Sequence, residues 1–309
     1  MGPHVRAWLG VSDNDYQGAD HTDPRAEDIA MFTDVFLTRI EDAVPNDSHH
    51  FVDILEELVG MNLPLVALKF SDAYPDLFPA DDFRAQLHLG NAAMIAGELI
   101  RAEDAFVAAQ KLVAEEPAPY VNLAQIYCHD SKLEAARTWC LAGLNVDPNN
   151  TRLWELLAWV EQTLRPDQIT AATELIARLA TDLSSWAGMS LACDLQNSED
   201  PLTKLAALER FWNEGCRDDD FLIEFTAVLG MSGQYDRIPA IVWQAEKASN
   251  QELKWQLILH LAQAYMGLGR DEEALQALDK LNKIKLLPPQ ARQAVQAMTD
   301  EIKASAQLN

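Results

Sequence analysis

The stretch that decides the fold is YVNLAQIYCHDSKLEAARTWCLAGLNVDPNN, residues Tyr120 to Asn150. In its first half Tyr120, Leu123 and Tyr127 recur at i, i+3 and i+7, with small Ala124 beside Leu123. That spacing places the large residues on one stripe of a helix. The polar run HDSK marks a turn. In the second half Ala136, Cys140 and Gly143 alternate small and larger groups on one helical face, and Asp147-Pro148 ends the run. Proline cannot continue a helix because it lacks the backbone donor. The stretch therefore predicts two antiparallel helices that approach closely where their small residues face each other.

The same pattern returns along the chain. Near the C-terminus LAQAY, ending at Tyr265, answers LAQIY, ending at Tyr127, and each is followed nine residues later by an alanine, Ala274 and Ala136. A third copy starts at Leu89-Gly90 and reaches Ala102, Phe106 and Ala109. Residues 83–116 carry Gln86, Leu89, Gly90, Ala93, Gly97, Ala102, Phe106 and Ala109, and 117–150 form the best copy. Residues 151–182 keep Trp154, Leu157 and Ala158 but have a degenerate second helix. Residues 183–217 keep Trp186, Met189, Ser190 and Cys193, with an insertion near QNSEDP. Residues 219–251 carry Leu222, Phe225, Leu229, the turn GQYD, Val242 and Ala245, and 255–288 carry Leu261, Ala262, Tyr265, Gly269, Ala274, Leu278 and Leu281.

This arrangement resembles the tetratricopeptide repeat, a two-helix unit of about 34 residues with the pattern W-x2-L-G-x2-Y…A-x3-F…P. The resemblance implies an all-α, right-handed α-solenoid of helix hairpins, with about six repeats over 83–288. Residues 289–309 read as a C-terminal capping helix with a polar outer face. Residues 24–80 read as additional N-terminal helices: one over 24–44 with Ile29, Phe32, Val35, Phe36 and Ile40, then a hairpin over 48–74 broken at Gly60 to Pro64, a diverged repeat. Residues 1–23, polar and rich in Asp and Gly, read as a mobile arm.

Charge narrows the classes of function. The net charge is −24. It is concentrated at the front: 22 acidic against 7 basic residues over 1–118, 11 against 5 over 119–200, and 15 against 12 over 201–309. Such a chain repels nucleic acid and anionic membrane, both of which bind through Lys and Arg. A basic protein partner is compatible with it, and so is a role in solubility alone. No apolar run of membrane-spanning length occurs, and the N-terminus lacks a signal-peptide core. The four cysteines, Cys128, Cys140, Cys193 and Cys216, form no C-x-x-C pair, which fits a reducing compartment; the expectation is cytoplasmic.

Several local constellations were candidates for chemistry. Cys128, His129 and Asp130 are consecutive, but helix neighbours diverge by about 100° and catalytic partners must converge. In repeat register Cys140 takes the place of a buried aromatic, and Cys128 follows the buried Tyr127; structural roles are expected. His49 and His50 read as the start of a helix capped by Asp47 or Ser48, and Asp218 to Asp220 as a helix N-terminus. Lys280, Lys283 and Lys285 complement a helix C-terminus, or form a basic dock for an acidic end in self-association. There is no phosphate loop or nucleophile elbow. The expectation is no enzyme, no cofactor and no metal.

What the resemblance implies about function is a concave face lined by the first helix of each repeat. The expected groove residues are Arg84, Leu87, Asn91 and Met94, then Val121, Asn122, Gln125 and His129, then Arg152, Glu155 and Trp159. Further along come Ile223, Ala227, Met231, Gln256, Leu259, Gln263 and Met266. Amide side chains suit a peptide backbone, while Trp159 and the methionines receive side chains. Some members of the family hold a terminal carboxylate with Asn and Lys or Arg. Asn91, Asn122 and Arg152 match part of that clamp, but Leu87 and Leu156 stand where two of its cations belong. The expected function is an adaptor or chaperone-like scaffold that binds a partner's peptide or helix; the alternatives are a self-assembling structural scaffold and, behind it, an enzyme or ligand sensor built on the repeats at the irregular region 165–217.

Overall fold

A computed structural model describes residues 44–196, 201–248 and 253–308, together with Val5, Leu37 and Ile40. The predicted arm over 1–23 and helix over 24–44 fall almost wholly outside these residues, as does part of the insertion at 197–200. Val5 and Ile40 are buried in the N-terminal core, and the Val5 N–H donates to Glu57 Oε2 at 2.7 Å.

Among the described residues the regular structure is all helical. The helices are α1 (Ser48–Gly60), α2 (Pro64–Ala73), α3 (Phe83–Ala96), α4 (Leu99–Leu112), α5 (Ala118–His129), α6 (Leu133–Val146) and α7 (Thr151–Leu164). They continue with α8 (Ile169–Asp182), α9 (Trp186–Leu195), α10 (Pro201–Asn213), α11 (Asp219–Met231) and α12 (Ile238–Ala248). The last three are α13 (Trp255–Gly267), α14 (Asp271–Asn282) and the predicted cap α15 (Pro289–Leu308). The chain divides into two compact units, 1–167 and 168–309. The division falls between the two helices of the degenerate 151–182 segment.

The hairpins close by local chemistry. Asp82 caps α3 by accepting from Ala85 N at 2.9 Å, and Asn150 caps α7 by accepting from Leu153 N at 3.1 Å. Asp47 caps α1 by accepting from His50 N at 2.8 Å, so the His49-His50 pair does start a helix. Gly97 ends α3 at φ +82°, a left-handed conformation open to glycine at no steric cost, and Glu98 N–H returns to Ala93 O at 2.8 Å.

A repeating hydrogen bond reveals the period in unit 1. Gln86, Tyr120 and Trp154 each donate from the side chain to the carbonyl six residues earlier: Ala80, Ala114 and Pro148, at 2.9, 2.9 and 2.8 Å. The donors are 34 residues apart, although their side chains differ. Each bond fastens the start of a repeat's first helix to the loop that precedes it.

Packing in unit 1 follows the small-residue rule. A Cβ on Gly90 of α3 would lie 2.5 Å from the buried Phe106 ring of α4, and one on Gly143 of α6 would lie 2.8 Å from Tyr120 Cβ of α5. Phe51 and Phe70 stack at 4.6 Å in the N-terminal core beside Ile54, Leu55 and Leu58. Each such buried side chain contributes about 1.5–3 kcal/mol. Glu161 of α7 is fully buried and accepts from Arg137 of α6 and Arg165, a charged clasp that the periodicity did not indicate.

In unit 2, α8 packs on α9, and the hairpins α9–α10, α11–α12 and α13–α14 follow, with α15 covering α14. Trp186, Phe221, Phe225 and Trp212 form an aromatic row with centroids 5.4–5.7 Å apart. Ile258, Ala262, Ala274, Leu278 and Leu281 close a core under Val295 and Ile302 of α15. The predicted capping role of 289–309 is thus built from an apolar stripe on a helix with many exposed polar residues.

Candidate functional site

The first helices of the unit 1 hairpins are tied together side by side. Arg84 of α3 pairs with Asp53 at 3.0 Å and with Glu56, both on α1. His88 lies 3.6 Å from Glu56. Asn122 of α5 donates its side-chain amide to Asn91 Oδ1 of α3 at 3.1 Å. Helix α7 packs directly on α5.

At the α5–α7 end of this face lies an open cleft of about 560 Å³ lined by Gln125, Cys128, His129, Arg152, Glu155, Leu156 and Trp159. Five of these were expected from the sequence. Leu156 is buried and forms apolar lining, whereas Trp159 is 48 % exposed and presents a large ring to the opening. Arg152 pairs with Glu155 at 3.0 Å. The remaining expected residues are arranged differently. Arg84 is held by two carboxylates, and Leu87 and Met94 are half-buried against the N-terminal core.

Cys128 and His88 on this face were missed, and Leu156 was noted only as a clamp position lacking its cation. The 34-residue offset that links Gln86, Tyr120 and Trp154 also links Met94 to Cys128 and Asn122 to His88; applying it strictly would have found both. Burial lowers the His88 pKa, despite Glu56 opposite, so its imidazole is neutral near pH 7.

The Cys-His-Asp run does not converge. Cys128 and His129 both line the cleft, but they are helix neighbours and His129, exposed at the helix end, lies 3.9 Å from Asp130. Burial pushes the Cys128 thiol up, with Arg152 partly opposing it, and pushes Cys140 up to about 12. Both are thiols at neutral pH and poor nucleophiles. Among the described residues no three His, Cys, Asp or Glu side chains come together as metal ligands would. Among the same residues no helix is long and apolar enough to cross a membrane.

Unit 2 has its own cleft of about 440 Å³, lined by Thr226, Ala227, Gly230, Met231, Tyr235, Ile238, His260, Gln263 and Ala264. Ala227, Met231 and Gln263 were expected there; Thr226 and His260, hydrogen-bonded at 2.9 Å, were not. Met266 and Leu259 pack instead against the C-terminal core, and Ile223 and Gln256 do not line this cleft. Lys280 pairs with Glu246 at 3.3 Å and Lys283 with Asp279 at 2.6 Å, so two of the three lysines of the suggested basic dock are already engaged.

The helix-hairpin architecture is that of tetratricopeptide-repeat proteins. No family model matches the sequence, and no curated protein does. The fold is similar to yeast Tom70 at 13 % identity and TM-score 0.54, over 99 % of this chain and 65 % of that one. The chain thus spans about two thirds of the Tom70 structure. It is also similar to a tetratricopeptide repeat protein from Parabacteroides merdae, at 13 % identity and TM-score 0.42, over 83 % of this chain and 98 % of that one. YrrB, described as a TPR protein with an unusual peptide-binding site, is 18 % identical at TM-score 0.28, over 68 % of this chain and 89 % of that one.

Proposed function

We propose that the protein is a non-catalytic protein–protein interaction module, an adaptor or chaperone-like scaffold. Its ligand is a partner's extended or helical segment bound on the α3–α5–α7 face of unit 1. The observation that carries this reading is the cleft at Trp159. A half-exposed indole and the buried Leu156 give the cleft an apolar contact surface, flanked by amide and charged groups that orient a chain. The titratable groups around it are paired with one another, or held neutral, rather than aimed at a common point, which favours binding over catalysis.

The test is affinity capture from a native lysate with wild-type protein, Trp159→Ala and Met231→Ala. The expected result is a partner recovered by wild type and Met231→Ala and lost with Trp159→Ala, all three with unchanged circular dichroism. A partner retained by Trp159→Ala and lost with Met231→Ala would move the function to the unit 2 cleft.

A further inference from the structure

We infer that the unit 1 cleft selects a basic amphipathic segment, with an apolar side chain seated against Leu156 and Trp159 and Lys or Arg residues flanking it. This rests on the binding reading above and names the chemistry of the partner.

The first argument is which groups the face has left to offer. Arg84 already spans Asp53 and Glu56, Arg152 holds Glu155, and the Asn122 amide donates to Asn91. An anionic ligand would have to share guanidinium groups already engaged by carboxylates on α1 and α7, and would meet the repulsion of those carboxylates. A cationic ligand need displace nothing, because an ionised carboxylate has two oxygens and accepts from two cations at once. Helix α7 itself provides the example: Glu161 accepts from Arg137 through one oxygen and from Arg165 through the other. Glu155 is bound to Arg152 through Oε2, and its side chain is more than half exposed.

The second argument is charge. Asp53, Glu56 and Glu155 outnumber Arg84 and Arg152 on this face, with His88 held neutral by burial. The described part of unit 1, residues 44–167, carries 19 acidic against 8 basic residues, a net charge of −11. That field draws cations toward the cleft and repels anions before contact. The third is the ring: an exposed indole takes an aliphatic side chain and also attracts a Lys or Arg over its face.

The experiment uses the full chain and three fluorescein-labelled, helix-length peptides. All share the same Leu and Trp positions, spaced i, i+3, i+7, and carry Lys, Gln or Glu elsewhere. Binding is read by fluorescence anisotropy at about 0.15 M salt, where long-range surface attraction is largely screened. Occupancy is read by maleimide labelling of Cys128, which lines the cleft and, with its pKa raised by burial, reacts slowly; the reaction is therefore followed over hours at about pH 8.5, against the likewise slow Cys216 of unit 2 as internal reference.

The Lys peptide should bind at least about tenfold more tightly than the Gln peptide, and the Glu peptide weakest. The Lys peptide should slow labelling of Cys128 without affecting Cys216. Glu56→Gln with Glu155→Gln should erase most of the preference. If the Gln or Glu peptide protects Cys128 as well as the Lys peptide does, the basic selection is wrong while the groove reading stands. If the Lys peptide binds without protecting Cys128, it is adsorbed elsewhere on an acidic surface, and the inference fails. If no peptide protects Cys128, the inference fails, and the groove reading is decided separately by the Trp159→Ala capture.

Discussion

Asn122 and Asn91, on neighbouring first helices of unit 1, are joined by a 3.1 Å amide–carbonyl hydrogen bond. The bond changes how the face reads. In the sequence the two asparagines looked like part of a carboxylate clamp. In the structure the Asn122 amide is spent on Asn91 Oδ1, and the nearby arginines are held by carboxylates. Asn122→Ala should therefore cost about 1 kcal/mol in urea unfolding, the usual net worth of such a bond. It should also weaken partner binding less than Trp159→Ala does.

The contact between Gly90 and Phe106 sets the α3–α4 distance. In an open helix Gly90→Ala would stabilise by removing backbone freedom. Here the added methyl would meet the Phe106 ring at 2.5 Å, so overpacking wins, and a loss of about 1–3 kcal/mol is expected. Combining it with Phe106→Leu should give a smaller loss than the two single changes added together, because the ring is the obstacle.

Glu161 is the buried anchor of α7. Arg137→Met leaves its fully buried carboxylate with Arg165 as its remaining charged partner. Arg137 is about one third exposed, so the loss expected for a buried ion pair is reduced to about 2 kcal/mol. The exposed Arg270–Glu273 pair of unit 2 serves as comparison: Arg270→Met should leave the unfolding midpoint unchanged.

Two histidines should make stability fall with acid. Burial lowers the folded-state pKa of His88, where Glu56 and Asp82 oppose the shift and Arg84 reinforces it. It does the same for His260, where Glu224 opposes it. In the unfolded chain both titrate near 6.5. Above that pH they are neutral in both states. As pH falls below it the unfolded state takes up protons first, and stability declines until the folded-state pKa is reached. His88→Asn should flatten this decline in the transition reporting unit 1, and His260→Asn in that of unit 2, measured by urea unfolding between pH 7.5 and 5.

Legibility in the sequence followed the range of the interactions. The helices of 83–146 and the hairpin broken between Gly60 and Pro64 were readable because they depend on periodicity, caps and turn residues a few positions apart. That Gln125, His129, Arg152, Glu155 and Trp159 share one face was readable because a helix face is fixed by register, and they line one cleft. What escaped depends on partners distant in sequence. Arg84 looked like a free groove cation because nothing local announces Asp53 and Glu56, 31 and 28 residues away. Cys128 was assigned to the interior because it follows Tyr127, yet the turn of the helix brings it to the cleft. The Glu161 clasp was invisible because a glutamate in an amphipathic pattern reads as solvent-facing.

The most direct test of the central claim is photo-crosslinking in the native host with benzoylphenylalanine placed at position 159 or at position 100. Trp159 opens onto the α5–α7 cleft, whereas Ile100, 81 % exposed, stands at the start of the second helix α4. The account predicts a discrete heavier adduct from position 159 and none from position 100. Adducts from position 100 alone would contradict it and would place the working surface of unit 1 on its second helices.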